Sequence, residues 1–389
     1  FRVPVPAAAA RLLRPLADEA RRRGLPLYAV GGCVRDWLLG RATFDLDLAV
    51  AGDPDPVALL CARLVGGSAE AFGRFGTRRI IGRGRFRVDV ATTRAESYPE
   101  PSALPRLVAV KVPIESDLFR RDFTINALAA RLDDGSRRIV DPYGGLRDLK
   151  DKILRVLHPA SLRDDPTRVF RAARFLGRLR CRPADGMPEQ AKDALGAGHA
   201  AKLSRHRLLH ELVCLLAEED PSEAFKLLRD WGYLPLLHPE LPWRRLPSSA
   251  VEPRLAAMAL ALGPSKGREF VDSFPFEHHL RTLLLEVLAV GSSDKSPRVE
   301  VPALVASAVR RAFPKLPPAA LRPCFLHGKD LIAAGLRPGP SFHAIIDEAA
   351  RLQRRGRLKT RAAALAWFRR RRGLLTDFLP FQSSKFTGF

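Results

Sequence analysis

Val30-Gly31-Gly32-Cys33-Val34-Arg35-Asp36-Trp37-Leu38-Leu39-Gly40, followed at once by Asp45-Leu46-Asp47, is the stretch on which the reading of this chain turns. The apolar run Leu27 to Val30 predicts a strand, and the segment after the two glycines predicts a helix. A glycine pair there lets a ligand approach the backbone, and the N–H groups that open the helix form a phosphate cradle. Arg35, on the first turn, is placed to reach the same phosphates with its fork. Phe44 to Val50 alternates as a strand should, so Asp45 and Asp47 project together. Two neighbouring carboxylates repel unless a cation lies between them, and a hard divalent ion such as Mg²⁺ suits oxygen donors. A phosphate cradle beside such a pair is apparatus for phosphoryl or nucleotidyl transfer.

Working outward, Arg11 to Arg23 predicts an amphipathic helix leading into the first strand, although its early acid-poor part faintly resembles a transit segment. Pro56 to Val65 predicts a second helix. Arg78 to Gly82 and Arg85 to Val90 predict a hairpin, whose Asp89 is a candidate third carboxylate on the face of Asp45 and Asp47, with Glu96 a weaker one. The Pro-rich segment from Ala95 to Leu118 reads as a loop. It leads into Arg120-Arg121-Asp122-Phe123-Thr124-Ile125-Asn126-Ala127, read as an apolar helix with a charged start. Arginine there suits a triphosphate, while Asp122 and Asn126, four apart on one helix face, suit sugar hydroxyls.

Both blocks resemble the first two signatures of the class II CCA-adding enzymes (tRNA nucleotidyltransferases) and the related bacterial poly(A) polymerases. The resemblance implies a polymerase β-like α+β nucleotidyltransferase head with a mixed sheet, two Mg²⁺ ions held by Asp45 and Asp47, and an Asp122 that selects ribose over deoxyribose. Asp141-Pro142-Tyr143-Gly144-Gly145 resembles the family's third motif, a hinge between head and neck. Asp165 is expected to cap a helix with Pro166 at its first position, and Arg168, Arg171 and Arg174 recur on one face of it. The family's fourth motif falls here and implies that Asp165 and Arg168 bond the incoming base edge, with Arg171 and Arg174 supporting them. Asp164 stands where the family has Glu. An Arg donor and an Asp acceptor match the edges of C and A and leave buried charges unpaired against U or G, at ~1–3 kcal/mol per group. Arg205 to Leu212 resembles the fifth motif. Arg207 and Glu211 are spaced as a helix-surface pair, and His206 and His210 read as surface or capping groups.

Composition bounds the partners. The 389 residues carry a formal net charge of +23, so a polyanion, most simply nucleic acid, is the expected partner. Five scattered cysteines indicate neither a zinc site nor a disulfide framework, which fits a reducing cytosol. No apolar run reaches the ~18 residues of a membrane helix. Beyond residue 216 helical periodicity recurs at Ser222 to Trp231, His278 to Ala289, Ala303 to Phe313 and Ser341 to Arg372, with breaks at 242–248, 263–266, 292–302 and 314–323. Arg354, Arg355, Arg357, Lys359, Arg361 and Arg369 to Arg372 are candidate contacts to tRNA phosphates.

The expected organisation is a catalytic head (1–135) and an all-α remainder. That remainder comprises a neck for base recognition (136–216), a body (217–300) and a tRNA-binding tail (301–389) with an untethered end from Leu379. The reading is a cytoplasmic, template-independent tRNA nucleotidyltransferase using CTP and ATP. Gly31, Gly32, Arg35 and Arg121 hold the triphosphate, Asp122 and Asn126 check the ribose, and Asp45, Asp47 and Asp89 do the chemistry. A partial CC-adding or A-adding enzyme, a poly(A) polymerase and a non-catalytic RNA-binding protein are the alternatives.

Overall fold

Alternation of side chains along one strand places both the core and the carboxylates. The computed structural model describes residues 2–376, apart from 74–75, 83–85, 243–249, 293–296 and 298. By internal contacts the chain divides into two units, residues 1–207 with 220–236, and residues 208–219 with 237–389.

The first unit begins with α1 (Ala7–Arg22), β1 (Leu27–Val30), α2 (Gly32–Leu38), β2 (Asp45–Val50) and α3 (Asp55–Leu64). Next come β3 (Ser68–Phe72), β4 (Thr77–Ile81), β5 (Arg87–Thr92), β6 (Arg94–Ser97) and β7 (Arg106–Val110). After α4 (Ile114–Phe119) the chain adds β8 (Ala129–Arg131) and β9 (Ile139–Val140). Seven of these strands form one mixed sheet in the order β3-β4-β5-β2-β1-β8-β9, in which only β2 and β5 pair in parallel. Leu46, Leu48 and Val50 turn to one face and pack with Leu12, Leu13 and Leu16 of α1, Val34 and Trp37 of α2, and Val57 and Cys61 of α3. With a period of two, Asp45 and Asp47 must then face the other way. On that second face Tyr28, Val30 and Ala49 pack with Ile114 and Leu118 of α4.

Two segments differ from the sequence reading. The stretch 95–118 is not a loop throughout, because β6 and β7 pair as a hairpin and α4 follows. Nor is Arg120 to Ala129 one helix: a single 3₁₀ turn at Thr124–Asn126 leads straight into β8. The apolar residues there are buried beside and within β8, an inner strand between β1 and β9, a pattern that periodicity over so short a run does not separate from a helix. The hairpin of β4 and β5 forms as expected, with Arg85 outside the described residues.

The rest of the first unit is mainly helical. It holds α5 (Gly145–Lys150), the short parallel pair β10 (Ile153–Leu154) and β11 (Arg182–Pro183), α6 (Ser161–Asp164), α7 (Thr167–Leu179) and α8 (Met187–Gly196). α9 (Arg205–Leu216), which belongs to the second unit from Leu208 onward, and α10 (Ser222–Asp230) follow. Asp141 caps α5, accepting from the N–H of Gly145 at 2.7 Å and of Leu146 at 2.9 Å. Val169, Phe170, Ala172, Ala173 and Leu176 are the buried stripe of α7.

In the second unit α11 (Val251–Leu262), α12 (Pro264–Ser273), α13 (His278–Ser292) and α14 (Ala303–Ala312) precede α15 (Gly328–Ala333), α16 (Pro340–Arg354) and α17 (Arg361–Thr376). The break expected at 263–266 narrows to Gly263, which ends α11 at φ 83°, and Pro264 then opens α12, because its fixed φ suits a first helical position. The expected helix from Ser341 to Arg372 is two helices, parted where Gly356 adopts φ 72°. Arg254, only 2% exposed, donates to the carbonyls of Leu216, Glu218 and Glu219 beyond the end of α9. Gln353 likewise ties the carbonyls of Ala319, Arg322 and Pro323 to its own helix. Part of the basic tail is used internally: Arg354 bonds the Val290 carbonyl, Arg361 pairs with Asp330 and Arg371 with Glu348. Arg355, Arg357, Lys359, Arg369 and Arg370 are exposed. The expected untethered end lies outside the described residues. Among those residues no helix is long and apolar enough to cross a membrane.

The hinge glycines give a test of this packing. A Cβ on Gly145 would lie 2.2 Å from the Thr124 carbonyl oxygen, whereas one on Gly144, at φ +74°, would meet open space. Gly144→Ala should cost about 1 kcal/mol for its left-handed conformation. Gly145→Ala should cost roughly 2–3 kcal/mol, since backbone must move. Denaturant unfolding of the two variants measures the order, and equal costs would contradict the close approach.

Candidate active site

The site grows from the pairing of β2 with β5. Their register sets Asp45 beside Arg87 and Asp47 beside Asp89, and that of β4 sets Arg79 beside Asp89. Asp45, Asp47 and Asp89 thus share one face of the sheet, as expected. Arg87 reaches Asp45 at 3.0 Å, a pair exposed enough to add little. Arg79 forks onto Asp89 at 2.9 and 2.8 Å. Asp47, though open to solvent, lies on the floor of a cleft. Desolvation there pushes its carboxyl above the usual range; Arg121 opposes this, and the charges of Asp45 and Asp89 add to it. That unbalanced negative charge is what a cation would relieve. Cys33, against the Asp47 backbone, is pushed up to about 12 by burial and is inert as a nucleophile. Asp47 and Asp89 line a cavity of about 230 Å³ with Phe72, Arg94, Asp117, Arg120 and Arg121.

The turn after β1 is built by exclusion of a side chain. Gly31 adopts φ 72°, and a Cβ there would lie 2.7 Å from Nη1 of Arg121. Only glycine lets that guanidinium press against the turn that opens α2. Asp117, 1% exposed, holds Arg120 at 2.8 Å and Arg121 at 3.1 Å. Burial pushes its carboxyl up, but Arg121 and Arg120 outweigh that and hold it below the usual range. Glu96 lies with Arg94 and Arg120, at 2.6 and 3.3 Å. Arg35 is buried against its own Asp36 and donates to Oδ1 of Asn126 at 2.5 Å. Its place is therefore one residue behind the turn, bracing Asn126.

Asp122 and Asn126 meet although no helix face joins them. Asn126 donates to Asp122 at 3.0 Å, and Arg171 forks onto the same carboxylate at 2.9 and 2.6 Å. Burial alone would raise the Asp122 carboxyl; Arg171 and Asn126 overcome it and bring it down to about 2. Three guanidinium groups surround the Phe175 ring: Arg174 at 4.8 Å, Arg35 at 5.1 Å and Arg171 at 5.7 Å from its centroid.

Asp165 and Arg168 lie at the start of α7, and each is oriented by other residues. Asp165 accepts from the Thr167 N–H at 3.0 Å and hydroxyl at 2.6 Å, so it caps α7 as expected. Its charge is matched by Arg207. Arg207 also donates to the Ser102 carbonyl at 2.8 Å. Arg168, 4% exposed, donates to Ser161, to the Arg120 carbonyl at 3.0 Å and to the Tyr98 hydroxyl at 3.3 Å. Ser102 holds this edge in place: at φ 70° it bonds the Asp164 carbonyl through its N–H and the His199 carbonyl through its hydroxyl. Tyr98, Ser102, Asp117, Phe175 and Arg79 are supporting residues that the sequence did not single out, and Arg207, expected as half of a helix-surface pair, holds Asp165. Only Asp117, three residues ahead of Arg120-Arg121, carried a local signal. His206 and His210 are exposed on α9. None of the five cysteines is in a disulfide, and among the described residues no group of three or more His, Cys, Asp or Glu is arranged around a common metal position.

Residues 27–155 match the poly(A) polymerase head domain family. The A-adding tRNA nucleotidyltransferase of Geobacter sulfurreducens is 41% identical over 238 residues, which are 61% of this chain and 27% of that protein. Against that relative the chain spans about a quarter of the length. The CC-adding tRNA nucleotidyltransferase of Deinococcus radiodurans is 33% identical over 358 residues, 89% of this chain and 90% of that protein. A solved CCA-adding enzyme in its apo form II has the same fold, with a TM-score of 0.68 over 95% of this chain and 97% of that one at 24% identity. With 89% of its length matched to the Deinococcus protein at 33% identity, the chain belongs to the tRNA nucleotidyltransferase family.

Proposed function

We propose that the protein adds C, A or both to the 3′ end of tRNA from CTP and ATP, without a nucleic-acid template. The observation that carries this reading is the shared face of Asp45, Asp47 and Asp89, open to a cavity that also holds Arg121 beside Gly31. The 3′ hydroxyl of the tRNA attacks the α-phosphate, the new P–O bond forms, the bond to the β-phosphate breaks, and pyrophosphate leaves. Asp45 and Asp47 offer only hard oxygen donors, and at Asp47 desolvation and the charges of Asp45 and Asp89 oppose ionisation in a way a cation would relieve, so the pair fits Mg²⁺. When bound, such ions supply charge neutralisation at the phosphates and a more acidic attacking hydroxyl.

The protein's own groups do the rest. Gly31, Gly32 and Arg121 hold the triphosphate, with Arg35 behind them. Asp122, kept ionised by Arg171 and aimed by Asn126, accepts from the ribose hydroxyls. Asp165 and Arg168 read the base edge as acceptor and donor, with Arg174 as support. The exposed cations of the C-terminal helices meet the tRNA backbone, where recognition is of charge and shape. The four-part division into head, neck, body and tail expresses that sharing of work, and a cytoplasmic location follows from the substrate. A CC-adding enzyme is the second reading, favoured by the match to the Deinococcus relative over 89% of this chain.

Purified protein given tRNA that ends before CCA, with CTP, ATP and Mg²⁺, should extend it and stop within three nucleotides on a sequencing gel. Addition of CC alone identifies the second reading, a long A-tail the polymerase, and no extension a binding protein. Asp47→Ala should lower transfer by about 10³-fold or more while tRNA affinity in a filter assay stays within about twofold. A large loss of binding would contradict the separation of chemistry from grip. Asp122→Ala should erase most of the preference for CTP over dCTP in kcat/KM. An unchanged ratio would remove Asp122 from ribose recognition.

A further inference from the structure

Phe72 is a large aromatic left 46% exposed at the end of β3, on the wall of the catalytic cavity. A bare phenyl ring at a hairpin end would ordinarily be free to turn. Here the Arg79 guanidinium carbon lies 3.2 Å from the ring centroid, and Arg79 is itself forked onto Asp89. The register Phe72 to Thr77, with Arg79 two residues on and opposite Asp89, puts ring, guanidinium and carboxylates on one face of the sheet. One face of the ring is backed by a cation, and the ring is fixed relative to the catalytic acids.

The strand order assigns what the exposed ring is for. Gly31 follows β1, the acids lie on β2 and β5, and Phe72 is on β3 at the far edge. The carboxylates therefore stand between the proposed triphosphate cradle and the ring. In an in-line displacement the attacking hydroxyl and the leaving pyrophosphate lie on opposite sides of the α-phosphorus. With the triphosphate on the β1 side, the nucleotide that supplies the hydroxyl must enter from the side of β5, β4 and β3. We propose that its base stacks on Phe72, backed by Arg79, so that Phe72 positions the terminal nucleotide of the acceptor strand. This inference rests on the transferase reading above. Stacking also suits the task, because each nucleotide added becomes the next terminus, and an aromatic face accepts any base.

The test uses an RNA acceptor-stem hairpin whose last nucleotide is 2-aminopurine, which loses fluorescence on stacking. The full-length protein should quench it, and Phe72→Trp should retain the effect. Phe72→Ala should abolish quenching and raise the KM for the RNA about tenfold, leaving the KM for CTP within about twofold. Thermal unfolding of the alanine variant should match the wild type, because the ring is at the surface. Equal quenching and equal RNA KM in wild type and Phe72→Ala would overturn the proposal. Quenching that depends on Phe72, in a wild-type protein that extends no RNA, would uphold the platform and sink the transferase reading instead.

Discussion

The two-residue period of one β-strand is the constraint from which the rest follows. Leu46, Leu48 and Val50 must enter the core under three helices, so Asp45 and Asp47 are forced to the opposite face. A register slip of one residue would bury both acids and expose the leucines, exchanging a stable core for two unpaired buried charges. The pairing of β2 with β5 then delivers Asp89 to the same row without any further device. Stability and chemistry are thus fixed by the same hydrogen-bonded ladder.

Arginine is used twice over in this chain. Some cations are held in buried or half-buried networks by single carboxylates: Arg120 and Arg121 by Asp117, Arg171 by Asp122, and Arg207 by Asp165. Each carboxylate so placed orients a guanidinium before any ligand arrives, which lowers the ordering cost of binding. Other cations, such as Arg355, Arg357 and Arg369, stay at the surface, where the net charge of +23 acts at longer range on a polyanion. Precise recognition and general attraction therefore fall to different arginines.

Much of the site was legible in the sequence, because its signals are local. Gly31 and Gly32, Asp45 and Asp47, and the block Arg120 to Asn126 declare themselves by residue type at short spacing. What was not legible depends on distant partners. Nothing near Arg207 reveals Asp165, and nothing near Tyr98 among its prolines reveals Arg168. Short apolar runs also hid their geometry: the segment after Asp122 carries enough apolar residues for a helix, yet it leads into an inner strand of the sheet.

The account stands or falls on where a metal and a triphosphate sit together. Crystals grown with Mn²⁺ and a non-hydrolysable CTP analogue, measured for anomalous scattering, locate both at once. The prediction is manganese bonded to Asp45 and Asp47, with the phosphates against Gly31, Gly32 and Arg121. An ordered triphosphate elsewhere, or bound there with no metal on either carboxylate, would contradict it.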